Sequence, residues 1–206
     1  MSKRRLEAFS DSVIAVAVTL LALNLPLPGS DKTPLADYLG RHWPSFAAFA
    51  VSFLTIGIVW VNHHAMLRRL VAADTTILFM NLVLLMTICL LPFTTALMAE
   101  YLRASGGQHL AAAIWSGSFL VMALAFFTMQ RHLMTAKTDL LHEHVTPEIR
   151  RLVLLRNAVG IIPYAVATAG AALTPYLTLA ICLAVGLFYA IPATTEIGQP
   201  DLPGAE

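Results

Sequence analysis

The chain has 206 residues, of which 58% are hydrophobic and only 12% charged, with a mean hydropathy of +0.73. A soluble domain of this size carries charge on about a quarter of its residues, so most of this surface must face something other than water, and lipid is the candidate. A net charge of +1 excludes the basic face of a nucleic-acid binder, and Cys89 and Cys182, each inside an apolar run, read as small buried hydrophobes rather than a disulfide framework or a metal site.

The first apolar stretch follows Lys3, Arg4 and Arg5, as a secretory leader would. Glu7 and Asp11 interrupt its start, and no small-residue cleavage site precedes the loop at Pro26–Pro28, so the segment reads as a retained first helix. A helix needs about 20 mostly apolar residues to cross a bilayer. Six segments qualify: Ala8–Leu25, Pro44–Met66, Thr76–Ala99, Leu110–Gln130, Leu152–Leu173 and Pro175–Thr194. The last two share a charge-free run, and Gly170 with the Thr174–Pro175 pair is the place for the turn between them. The expectation is an all-α integral membrane protein, with residues 1–194 as one six-helix domain and 195–206 as a polar, disordered cytoplasmic tail. No internal repeat is visible.

The charges between spans divide unevenly. With the N-terminus inside, Lys3, Arg4, Arg5, Arg68, Arg69, Arg131, Lys137, Arg150, Arg151 and Arg156 are cytoplasmic. Only Lys32, Arg41 and Arg103 lie on the other side, so the positive-inside rule favours an even span count with both termini in the cytoplasm of a plasma-membrane protein.

The first helix differs from an ordinary lipid-facing span. It places Arg5, Glu7 and Asp11 within its first turns, where ionisable groups are costly unless they pair or face water. Glu7 and Asp11 are four apart, a like-charge arrangement that calls for a compensating cation. Small residues (Ala8, Ser12, Ala15, Ala17, Ala22) permit close approach of neighbouring helices. Val16, Leu20 and Leu23 share one face with Thr19 beside them, a spacing that by itself describes plain packing more often than a pore.

Later elements add polar groups. The second span ends Trp60-Val61-Asn62-His63-His64, and adjacent histidines point about 100° apart, so they chelate poorly. Trp60 reads as an interfacial anchor, and Trp60, His63 and His64 are candidates for a polar network with the first helix. Pro92 and Pro163 are expected to kink their helices, and Asn81 and Arg156 are further polar intrusions. The run His142-Glu143-His144 resembles a metal motif, but an i, i+2 pair does not share a helix face, and a solvated loop is the expectation.

Arg5-x-x-x-Phe9-Ser10-Asp11 matches the RxxxFSD signature of the transmembrane protein 175 potassium channels, and residues 13–23 also resemble the first helix of that family. The resemblance implies a potassium-selective channel of modest selectivity, without enzymatic activity or cofactor, in which potassium is the permeant ion. A single six-helix repeat implies a homotetramer with the first helix around a central pore. Carried over by position, Val16, Thr19, Leu20 and Leu23 would form the constriction, with Thr19 offering hydroxyl oxygens. Arg5, Phe9, Ser10 and Asp11 would hold the helix from behind. Val16 is smaller than the Ile or Leu usual at that place, and no TVGYG-like filter segment is present. Such a channel also leaves room for proton permeation. The competing classes are a secondary transporter or accessory helical bundle, which would favour an internal repeat with broken helices, and a membrane metalloenzyme, which needs convergent ligands.

Overall fold

The structure, a computed structural model, describes residues 3–28, 34–143 and 145–196, with side chains through Tyr189. It is all-helical. Among the described residues the α-helices are α1 (Lys3–Leu23), α2 (Leu35–Arg41), α3 (Trp43–Arg68), α4 (Thr75–Tyr101), α5 (Gln108–Thr135), α6 (Pro147–Gly170) and α7 (Pro175–Glu196), with a 3-10 turn at Thr138–Leu140. Five of them, α1, α3, α4, α5 and α6, are long and apolar enough to cross a membrane. They coincide with the first five expected spans. The sixth expected span, Pro175–Thr194, falls on α7, whose described apolar stretch is the shorter Pro175–Tyr189.

Local chemistry sets the helix ends. Asp74 is the N-cap of α4, its Oδ1 accepting from Ile77 N–H at 2.9 Å, and Thr146 caps α6 with Pro147 in the first turn. Gly107 caps α5 with φ +80°, a left-handed conformation in which a Cβ would also come within 3.0 Å of the Tyr101 ring. α4 and α6 run on through Pro92 and Pro163, and the carbonyl oxygen of Pro92 accepts from Asn24 Nδ2 at 3.2 Å. The turn before α7 lies at residues 171–174, beside Gly170.

Three differences from the sequence reading stand out. The stretch between the first two expected spans contains α2, seven residues that start directly after Pro34. The helices on either side of the expected His142–His144 loop run beyond the expected spans: α5 extends to Thr135, and α6 begins at Pro147. Between them, Leu141 pairs in an antiparallel bridge with Leu70, and His142 N–H donates to Arg69 O at 3.0 Å, tying the α3–α4 connection to the α5–α6 connection. Finally, Cys182 is buried as expected but Cys89 is exposed, because it falls on the outward face of α4. Lys32, His144 and most of the expected tail (197–206) lie outside the described residues.

The core gathers around α4 and α5, where Trp115, Phe119, Leu84, Ile88 and Leu91 are fully enclosed. A polar tie crosses it: Trp115 Nε1 donates to Ser52 Oγ at 3.1 Å, and Ser52 Oγ lies 2.7 Å from Thr95 Oγ1, linking α3, α4 and α5. With little hydrophobic drive between helices in lipid, such ties and close packing carry association. α1 packs against α3 and α4, whereas α6 packs against α5 and α7. The first helix therefore lies along one side of the bundle.

Candidate functional site

α1 divides into two faces. Leu6, Ser10, Ile14, Ala17 and Leu21 are buried against α3 and α4, following the i, i+4 and i+3 steps of one helical stripe. Val16, Leu20 and Leu23 are 58%, 44% and 78% exposed on the other side. Thr19 is exposed beside them, and its hydroxyl donates to the Val16 carbonyl at 2.8 Å. That bond uses the one hydroxyl proton and leaves the oxygen lone pairs free to accept or to meet a cation. The stripe from Val16 to Leu23 covers about 10 Å of helix, two turns.

Behind this stripe lies a buried relay across three helices. Ser10 Oγ donates to the Leu6 carbonyl at 2.8 Å and accepts from Asn81 Nδ2 of α4 at 3.0 Å. Asn81 Oδ1 then lies 2.8 Å from His63 Nε2 of α3, which fixes that nitrogen as the protonated one. Ser10 and Asn81 are completely enclosed and His63 nearly so. One turn on, Trp60 Nε1 donates to Asp11 Oδ1 at 2.9 Å, so α3 grips the signature at a second point. A donor to a carboxylate is a charge-assisted bond, stronger than a neutral one.

The sequence-derived residues thus fall into three groups. Ser10, Asp11, Trp60 and His63 sit in the contacts that hold α1. Val16, Thr19, Leu20 and Leu23 lie together on its open face. Arg5, Phe9 and His64 are exposed: Phe9 lines an apolar groove with Leu78, Phe79 and Leu82 of α4, and the His64 ring is tilted against Trp60 at 6.4 Å. A second groove, lined by Ile14, Ala15, Val18, Phe53 and Trp60, flanks α1 on the α3 side. The residue whose role the sequence did not reveal is Asn81, the bridge of the relay. Its one signal was an amide in a span otherwise free of charge. Among the described residues no group of three His, Cys, Asp or Glu side chains converges as a metal site.

Every member of this constellation lies within residues 5–92, the stretch that matches the family model described as "Endosomal/lysosomal potassium channel TMEM175". Over 90% of its length the chain is also 41% identical to a potassium channel of Streptomyces collinus, of which it spans 90%. The chain belongs to the TMEM175 family. Its fold is similar to the crystal structure of a TMEM175 homologue from Chamaesiphon minutus, described as a lysosomal potassium-selective channel homologue. The TM-score is 0.81 at 31% identity, over 93% of this chain and 97% of that one. A vertebrate TMEM175, the endosomal/lysosomal proton channel of Gallus gallus, is 31% identical over 71% of this chain, a match that takes in 30% of the longer animal protein.

Proposed function

We infer that this chain is a potassium channel subunit whose conduction path runs along the open face of α1. The supporting observation is the division of that helix: one side is pinned by the Ser10–Asn81–His63 relay and the Asp11–Trp60 bond, while Val16, Thr19, Leu20 and Leu23 lie open on the other. With α1 along the side of the bundle, several copies arranged about an axis beside it enclose a path for an ion, and the single-repeat form of the family implies four. The apolar grooves on either flank of α1 are then the surfaces on which neighbouring copies pack. The relatives named as potassium channels and the family match favour this reading over a transporter or a metalloenzyme.

In such a tetramer, rings of Leu20 and Leu23 form a hydrophobic constriction that resists wetting. An ion crossing it sheds part of its water, which costs potassium less than the more tightly hydrated sodium, and a ring of Thr19 oxygens returns some of the lost coordination. Val16 makes a wider ring than a leucine would. Selectivity is modest, because no cage of fixed carbonyls lines the path, and a wetted constriction also admits protons. α7 is the sixth span, both termini are cytoplasmic, and the cell membrane is the site of action.

The test is potassium flux into liposomes carrying the purified protein, repeated with sodium. A potassium flux exceeding the sodium flux is the expected result. Liposomes that hold either gradient as well as protein-free ones sink the channel reading.

A further inference from the structure

α6 is the most outward of the spanning helices, with only 6% of its apolar window buried. Leu152, Leu155, Val159, Ile162 and Val166 form a continuous exposed stripe along it. It packs on α5 and α7, away from α1, so copies assembled around α1 leave this flank facing lipid. At the start of α6 the flank is no longer purely apolar. A groove of about 520 Å³ opens between α5 and α6, with Phe127, Met134, Leu154 and Leu155 along its shaft and Arg150 and Arg151 at its mouth.

Three features of this groove point to one kind of occupant. Among the described residues no acidic side chain lines it, and the carboxylate that Arg150 influences, Glu148, is exposed outside it. Arg150 is incompletely satisfied: Nη1 makes a long 3.4 Å bond to the Met134 carbonyl, and Nε is buried with no acceptor among the described residues. A buried donor left unmade is costly, and phosphate, like carboxylate, is an acceptor whose geometry a guanidinium fits. Lastly, the shaft is continuous with the lipid-facing stripe through Leu155, and Arg151 to Ala158 spans about 10 Å of helix below the charged mouth. Charge directly before the apolar span expected from Leu152, with an apolar channel along that span, matches a headgroup phosphate joined to an acyl chain, and basic pockets between spanning helices bind such headgroups.

We propose that the α5–α6 groove is a binding site for one anionic phospholipid, its phosphate held by Arg150 and Arg151 and one acyl chain laid along Phe127, Leu154 and Leu155. The site tethers the outer flank of each subunit to its leaflet and requires only that the chain span a membrane, so it stands or falls independently of potassium conduction.

The experiment is native mass spectrometry of the purified full chain in detergent, titrated in parallel with phosphatidylglycerol and phosphatidylcholine, with inorganic phosphate as a competitor. Phosphatidylglycerol should remain bound where phosphatidylcholine is stripped, and millimolar phosphate should not displace it. Arg151→Gln and Arg150→Gln should each weaken retention about fivefold, and Arg151→Lys should restore most of it. Equal retention of the two lipids overturns the proposal, and so do unchanged retention in the Gln variants and displacement by phosphate alone. Should Arg150→Gln fail to fold, the two Arg151 variants and the comparison of lipids on the unaltered protein decide between these outcomes.

Discussion

Replacing Asn81 by alanine tests whether the relay, rather than apolar packing, holds α1 in place. Asn81 makes two side-chain bonds, to His63 at 2.8 Å and to Ser10 at 3.0 Å, inside a fully enclosed space. Hydrogen bonds between membrane helices average only about 0.6 kcal/mol each, because the unfolded chain in the bilayer also finds partners. The larger effect is the orphaned His63 nitrogen, which keeps its desolvation cost of about 1–3 kcal/mol with no bond to offset it. Ser10 is spared, since its hydroxyl still donates to the Leu6 carbonyl. The sum is a destabilisation of about 2–4 kcal/mol, most of it from the histidine. The assay is reversible unfolding in mixed micelles with rising SDS, at constant protein concentration because assembly is linked to folding. Ser12→Ala is the control, since Ser12 lies exposed and bonds only to the Ala8 carbonyl; its effect should stay within about 0.5 kcal/mol. The double variant Ser10→Ala, Asn81→Ala should cost less than the sum of the singles, because both remove one shared bond. If Asn81→Ala unfolds at the same SDS fraction as Ser12→Ala, the relay is not what fixes the helix.

The proposed constriction makes its own predictions. Leu20→Ala and Leu23→Ala each widen an apolar ring, so potassium flux should rise severalfold or the preference over sodium should weaken, and unchanged flux in both would remove α1 from the pore wall. Thr19→Ala deletes the oxygens that face outward and should lower the potassium-to-sodium ratio in the same liposomes; an unaltered ratio would refute the hydroxyl ring. Asp74 provides a pH handle outside the spans. Its carboxyl pairs with Lys137 at 2.8 Å and also accepts from Ile77 N–H; the Lys137 bond first and the amide second hold its pKa below the ordinary carboxylate range, while the same pair raises that of Lys137. A depressed acid stabilises the fold at neutral pH and loses that contribution as pH falls through its own pKa; the raised lysine loses its share as pH rises through its pKa. The contribution is small, because both groups are solvated. The SDS midpoint should therefore be level around neutrality and decline in acid, and Asp74→Asn, which keeps a capping oxygen, should flatten the acid decline. An acid limb identical to that of the unaltered protein would assign it to other carboxylates.

Hydropathy was enough to place the long apolar helices α1, α3, α4, α5 and α6, because insertion into lipid depends on the summed transfer energy of consecutive residues, a local quantity. The division of α1 into a charged start and an apolar stripe was equally legible, since helical periodicity puts Val16, Leu20 and Leu23 on one face whatever surrounds them. What periodicity leaves undetermined is which face meets which neighbour. Cys89 sat in an apolar run like Cys182, yet one is exposed and the other enclosed, because only the rotation of α4 and α7 in the bundle distinguishes them. Helix α2 was hidden for a different reason: seven residues are too short for a periodic signal to stand out. The relay is the clearest case. Ser10, His63 and Asn81 are up to 71 positions apart, and each alone reads as a tolerated polar residue. Only the packing of α1, α3 and α4 brings their donors and acceptors within 3.0 Å, in a space where water cannot substitute for any of them.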